Sequence, residues 1–354
     1  MSSFVKNGWY VAAWSHEICR TLLARTILNE QIVFYRREDG QPVALMDRCP
    51  HKLAPLSLGE LKGDELQCGY HGMTFNCKGQ CSHIPGQASI PPNAKVRAFP
   101  LFEKYNAVWI WMGEPALADP EKIIDIPHYG DKGWGLVDNQ YLYFKSNYLN
   151  ITDNLVDPAH TTYVHKNTIG GTDGAEVGVK VEQGDDHVLA YRWIKNAAPV
   201  PLFEKMGNFK GLTDRWQYYY LHMPSVSYVD FGGIDAGVEP TEENKDRGLR
   251  SFSFNFLTPE TERTTHYFWL HLRNYHPHDT RVDEEVAELM TLTFNEDLEL
   301  LTHVQAQQEI TGVREYVRLG IDNAPVRIRK MIERLQAAER SDVPAQIAVQ
   351  TVDA

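Results

Sequence analysis

The chain has 354 residues, of which 43% are apolar, 23% charged and 11% aromatic, and its formal net charge is −12. That length accommodates about two ordinary domains with a sizeable core. The acidic balance excludes a surface built to track a phosphate backbone, and no apolar run is long enough for a membrane-spanning helix, so neither a nucleic-acid nor a membrane partner is expected. The opening "MSSFVKNGWYVAAW" is interrupted by Asn7 and Gly8 and has no continuous apolar stretch of the kind that directs secretion, so a cytoplasmic protein is expected.

The first third reads as β structure. "RTILNEQIVFYRREDGQPVALMDRC" holds two β-rich runs around Asp39-Gly40, a strong hairpin signal. Short strands follow in "GMTFNCKGQCSHIPG" and "VRAFPLFEKYNAVWIWMGEP". "GEPALADPEKIIDIP" then concentrates Pro and Gly, and a domain boundary near residue 118 is expected there. The two predicted units are 1–118 and 119–354. In the second, "FKSNYLNITDNLVDPAHTTYVH" begins as a helix that Pro158 breaks or kinks, because the residue before proline is driven out of the α region. Strands are expected over most of 175–275, and amphipathic helix in "DEEVAELMTLTFNEDLELLTHVQAQQEI" and "APVRIRKMIERLQAAE". A small β domain followed by an α+β domain is the simplest architecture.

The five cysteines are Cys19, Cys49, Cys68, Cys77 and Cys81, and in a reducing compartment those spaced closely with histidine read first as ligands. "CPHKLAPLSLGELKGDELQCGYH" carries Cys49-x-His51 and, sixteen residues on, Cys68-x2-His71. Structural zinc sites usually pair Cys with Cys and His with His. Here each arm brings one thiolate and one imidazole, which suits a Rieske [2Fe-2S] cluster, where one iron takes both cysteines and the other both histidines. Zinc is the remaining alternative. Pro50 stiffens the first arm; Gly69 and Gly72 are expected to let backbone N–H groups approach sulfur in the second. Cys77 and Cys81 flank a turn with no histidine partner and read as structural. His83, His128, His187 and His303 lack ligating spacing, and His276 and His278 read as surface loop.

These residues resemble the Rieske domain of the Rieske non-haem iron oxygenases. The whole chain is similar to their oxygenase subunits, above all the shorter ones that include the vanillate and dicamba O-demethylases and toluenesulfonate methyl-monooxygenase. "NGWYVAAW", "IPGQ", "WIWMGEPALADP" and "LTPETE" carry the likeness. It implies an antiparallel catalytic sheet with flanking helices of the START-like helix-grip kind, a homotrimer, and a separate NAD(P)H-dependent flavin and iron–sulfur reductase. The expected activity is hydroxylation of a methyl carbon on an aromatic acid with O2, above all aryl O-demethylation that releases formaldehyde, with aryl-methyl hydroxylation and ring dihydroxylation as rivals. A zinc-stapled binding module is the rival of a different class.

A cluster that moves electrons needs a destination. "DNLVDPAHTTYVH" supplies His160 and His165, which a straight helix would set about 140° apart; the break at Pro158 lets them converge. Two histidines and a carboxylate form the facial triad of non-haem Fe(II) oxygenases, although paired structural histidines remain an alternative. The helical neighbours of Asp297 are Met290, Phe294, Leu300, Leu301 and Val304, and a carboxylate among them is costly unless paired or metal-bound. Glu296, Glu299 and Asp153 read as solvated. Asp157 lies three residues before His160, within reach as the hydrogen-bond partner of a ligating imidazole. The resemblance implies further that Asp157 bridges His160 to His71 of a neighbouring subunit, and that Asn154 lies close to the iron. Asp230 and Asn255 fall on strands where relatives place substrate contacts, without repeating the dicamba enzyme's residues.

Overall fold

The computed structural model describes residues 4–341, apart from 167, 208, 239–240 and 313–316. Residues 9–111 form ten short strands: β1 (Trp9–Trp14), β2 (Leu23–Ile27), β3 (Glu30–Arg36), β4 (Pro42–Met46), β5 (Glu60–Lys62), β6 (Glu65–Gln67), β7 (Thr74–Phe75), β8 (Cys81–His83), β9 (Leu101–Lys104) and β10 (Ala107–Trp111). They pair as β1-β10-β9, β2-β3-β4 and β5-β6-β7-β8. The hairpin expected at Asp39-Gly40 joins β3 to β4, with Gly40 at φ +87°.

The run before it contains a second hairpin that the sequence did not announce. Leu28 and Asn29 both adopt positive φ, +51° and +65°, between β2 and β3. A branched aliphatic residue rarely takes that conformation. The turn is held from outside: Leu28 N–H donates to the Pro259 carbonyl (2.8 Å) and Asn29 N–H to that of Glu260 (2.9 Å).

A single seven-stranded antiparallel sheet dominates the second part, in the order β11-β17-β16-β15-β14-β13-β12. Its strands are β11 (Gly135–Phe144), β12 (Lys180–Gln183), β13 (His187–Ala197), β14 (Thr213–His222), β15 (Val226–Asp235), β16 (Leu249–Pro259) and β17 (Thr265–Arg273). The helices are α1 (Tyr148–Leu155), α2 (Thr161–Val164), α3 (Pro201–Met206), α4 (Glu242–Arg247), α5 (Thr280–Thr311) and α6 (Asn323–Ser341). The expected break between α1 and α2 is present at Val156–His160. Strand β11 was not foreseen, although "GLVDNQYLYF" alternates buried and exposed side chains along much of its length. The fold is therefore α+β, an N-terminal β unit and an antiparallel sheet carrying helices.

Each face of the large sheet has its own task. Tyr267 and Trp269 meet Phe294 of α5, at ring separations of 5.4 and 5.2 Å. On the other face Trp14 and Trp109 of the N-terminal unit lie edge-on to Phe256, and Trp14 also to Phe268. Thr258 Oγ1 donates to the Val11 carbonyl (2.7 Å) and the Trp14 indole N–H to that of Gln140 (2.9 Å). Because Trp14 is fully buried in this seam, Trp14→Ala is expected to lower unfolding free energy by about 3–5 kcal/mol. Denaturant melts followed by circular dichroism check this, and a loss below about 1 kcal/mol would contradict the anchoring role.

Candidate metal centres

The two arms of "CPHKLAPLSLGELKGDELQCGYH" fold alike. Cys49 N–H donates to the Ala54 carbonyl and Leu53 N–H to that of Cys49; Cys68 N–H donates to Met73 and Gly72 N–H to Cys68, all at 2.8–3.0 Å. Each arm is thus a loop closed by its fifth residue, and that residue is left-handed in both, Leu53 at φ +61° and Gly72 at +73°. The Gly72 N–H is consumed by this closure, so it shapes the loop rather than approaching sulfur as the sequence suggested. A Cβ on Gly69 would lie 2.8 Å from the Leu58 carbonyl oxygen, which keeps the second arm against the chain that follows the first.

The donors segregate by type. Cys49 and Cys68 are buried, while His51 and His71 are exposed with their rings 4.6 Å apart. Burial, followed by the neighbouring Cys68 thiol, pushes the Cys49 thiol up, so thiolate forms there most readily when a cation is bound. Two sulfurs inside and two imidazoles outside fit a two-iron cluster.

Behind the large sheet, His160, His165 and Asp297 bring one ligand atom each within 4.8 Å of the others. Asp297 Oδ1 is 3.2 Å from His165 Nε2 and 3.8 Å from His160 Nε2. The opposite nitrogens are both engaged: His160 Nδ1 donates to the Asp157 main-chain carbonyl, and His165 Nδ1 to Glu296 Oε2 at 2.7 Å. Both rings therefore present an Nε2 lone pair to one point, the arrangement a metal requires. Asn154 Nδ2 donates to Asp297 Oδ1 (3.0 Å). Burial pulls the His160 imidazole below its ordinary range. Burial also acts on His165, but hydrogen bonds and charge from Asp297 and Glu296 outweigh it and the net direction is upward.

Several residues that sequence reasoning passed over hold this geometry. Arg192 is buried and donates to the carbonyls of Pro158 (2.6 Å) and Gly174 (2.7 Å), pinning the turn that brings His160 round. A Cβ on Gly170 would sit 2.1 Å from the Thr161 carbonyl oxygen, so the chain beyond His165 can fold back there only without a side chain. Glu296 is not simply solvated, since it also accepts from Thr168 Oγ1 (3.2 Å). Asp153 is bound to Arg329 rather than free in water. The Asp157 carboxylate accepts from Ala159 N–H (2.8 Å), so its side chain shapes the turn while its carbonyl serves His160.

A cavity opens from this triad along the sheet, lined among others by Tyr219, Phe231, Ser253, Asn255 and Phe294. Asn255 belongs to it. Asp230 does not: Val229 and Phe231 face the cavity, and Asp230 binds the Trp216 indole, Arg250 and Lys245. The period-two alternation of β15 turns it away. Elsewhere the β13–β14 register sets His187 opposite His222, with Asp186 completing a group within 4.8 Å. That cross-strand cluster is invisible in linear spacing.

The N-terminal unit matches the Rieske [2Fe-2S] domain over residues 8–100. Residues 144–338 match the vanillate O-demethylase oxygenase C-terminal domain. The chain belongs to the Rieske non-haem iron oxygenases and is an oxygenase of that family, with a Rieske cluster and a mononuclear iron as its cofactors. It is 38% identical to a putative toluene-4-sulfonate monooxygenase iron-sulfur subunit of Comamonas testosteroni, over 95% of this chain and 98% of the relative. It is 33% identical to a vanillate O-demethylase oxygenase subunit from a Pseudomonas species, over 97% and 98%. The crystal structure of dicamba monooxygenase bound to dicamba superposes with a TM-score of 0.85 at 34% identity, covering 96% of this chain and 99% of that one. The zinc-stapled binding module finds no support in these likenesses.

Two substitutions test the site. Asp297→Ala should release the mononuclear iron while acid-labile sulfide and cluster colour stay unchanged; retention of all the iron would remove Asp297 from the ligand set. Glu296→Ala, by stripping the partner from His165 Nδ1, should weaken Fe(II) binding about 10–100-fold, measured by chelator competition. Unchanged affinity would leave Glu296 a bystander.

Proposed function

We propose that this oxygenase hydroxylates a methyl carbon of an aromatic acid, most directly the methyl of an aryl methoxy group. The observation that carries the reading is the lining of the cavity: three convergent metal donors at one end and, beside them, the aromatic and apolar side chains of Tyr219, Phe231, Phe294 and Met290, the chemistry that contacts an aryl ring. Cys49, His51, Cys68 and His71 would hold the cluster, and His160, His165 and Asp297 the iron. When bound, these groups supply single electrons and the activation of O2. The chain's own residues do the rest. Asn154 fixes the Asp297 carboxylate, the Asp157 carbonyl and Glu296 fix the imidazoles, and the aromatic walls exclude water from the reacting carbon.

One oxygen atom enters the methyl C–H bond and the other leaves as water, consuming two electrons and two protons. The resulting hemiacetal breaks its C–O bond to give a phenol and formaldehyde. A second reading is favoured by the 38% identical toluene-4-sulfonate relative: on an aryl methyl group the same insertion stops at the benzyl alcohol.

Electrons would cross between subunits of a homotrimer, from His71 of one to Asp157 and His160 of the next. Among the described residues no hydrogen bond or ring contact joins His71 to Asp157 within one chain. Leu53, Leu58 and Tyr70 near His71, and Tyr163 on α2, are exposed apolar side chains at the two ends of that route, as surfaces that meet a neighbour are. A separate NAD(P)H-dependent flavin and iron–sulfur reductase would feed the cluster, in the cytoplasm. We divide the chain near residue 118, at the end of the Pro- and Ala-rich link after β10; residues 342–354 of the second unit lie outside the described residues.

Incubation with reductase, NADH and a panel of methoxy- and methyl-substituted aromatic acids should release formaldehyde from a methoxy substrate. Alcohol alone would favour the second reading, and no product from any member would overturn both. Asp157→Asn preserves the acceptor for Ala159 N–H, so both metals should remain while most turnover is lost; full turnover would refute the bridge.

A further inference from the structure

Beside the cavity lie buried polar groups that no described residue satisfies. His271 of β17 is fully buried, and neither ring nitrogen has a hydrogen-bond partner. Directly across the ladder stands Ser253, also buried and with its hydroxyl unpartnered. Side chains opposite one another on paired strands share a face, and Ser253 lines the cavity. His271 therefore points to the same side, with its ring edge-on to Phe231, another wall residue, at 5.9 Å. Orphaned polar atoms at this depth are rare in native proteins, because each forfeits its hydrogen bonds to water, and two facing each other on a cavity wall call for a ligand.

Position and charge specify that ligand. Tyr267, whose hydroxyl feels the Asp297 charge, lies at the metal end of β17. His271 is four residues further along, about 13 Å at strand rise, a separation that matches an aryl ring carrying substituents at both ends. Arg273, two residues on and fully buried, has Nε and Nη1 unpartnered; its Nη2 is held by Asp283 (2.6 Å) and the His276 carbonyl (3.1 Å). Burial first, and the Arg273 charge second, hold the His271 imidazole down to about 3. It is thus neutral, with one N–H to donate, beside a hydroxyl that can also donate and a cation beyond.

We propose that His271 and Ser253 anchor an oxyanion substituent of the aromatic substrate, a carboxylate or sulfonate, at the end of the cavity remote from the metal donors. This rests on the reading of the cavity as the site of methyl oxidation and adds the group that orients the ring. With the anion held there, the substituent across the ring is the one presented to His160, His165 and Asp297, so the anchor selects which methyl carbon reacts.

Binding to the holoenzyme without reductase tests the anchor apart from turnover. Isothermal titration with toluene-4-sulfonate and 4-methoxybenzoate, against the neutral toluene and anisole, should show at least about tenfold tighter binding of one or both anions. In His271→Phe that preference should disappear while the neutral rings bind within about threefold of wild type; Ser253→Ala, which leaves the core volume nearly intact, should lose part of it. Two results would overturn the proposal: no anion preference in the wild type, or an undiminished preference in Ser253→Ala together with any His271→Phe that folds. An anion preference that depends on these residues, in an enzyme yielding neither formaldehyde nor alcohol, would leave the anchor standing and remove the proposed reaction. Product formation with an anion preference untouched by these substitutions would do the reverse.

Discussion

A single buried carboxylate sets the terms for the catalytic half of the molecule. Asp297 is almost fully enclosed on a long helix, where an ionised group costs several kcal/mol unless compensated. Its compensation comes from Asn154 on α1 and from two imidazoles on either side of α2. Those partners can reach it only because the helix carrying Asn154 stops before Pro158. Arg192 and Gly170 exist in this account to fix that stop and the fold-back after it. Remove the carboxylate and the convergence of three separate chain segments has no electrostatic purpose.

The large sheet joins this centre to the rest. One face packs on α5 and lines the cavity, while the other receives Trp14 and Trp109 of the Rieske unit. The left-handed turn at Leu28-Asn29 is gripped by the carbonyls of Pro259 and Glu260, within the "LTPETE" segment. A motif that reads as a family signature is thus a clamp between the two halves of the chain. The Cys/His arms and the His160–His165–Asp297 triad are thus joined through one sheet, with His51 and His71 exposed.

Much of this was legible in the residues. Mixed Cys/His pairs, the proline between the histidines and a carboxylate on an apolar helical face each encode a physical requirement that survives without coordinates. What escaped depends on register and tertiary contact. The Leu28-Asn29 turn puts a leucine, which carries no turn signal, at positive φ, because the carbonyls of Pro259 and Glu260 hold it from more than two hundred residues away. Asp230 and Asn255 both sit on strands over the site, yet pleat alone decides that one faces the cavity and the other an Arg-Lys cluster. Glu296 looked solvated because its partner, His165, is more than a hundred residues away. His271 had no neighbour in sequence to mark it; only the pairing with Ser253 does.

The claim on which all else rests is that two separate iron sites exist, one held by mixed Cys/His arms and one by His160, His165 and Asp297. Anomalous diffraction from crystals of the purified protein, recorded above and below the iron edge and again at the zinc edge, tests it directly. The account predicts iron density at both sites, elongated between the Cys49–Cys68 and His51–His71 pairs and compact within about 2 Å of the three triad donors. Zinc at the first site, or iron bound without Asp297 at the second, would contradict it.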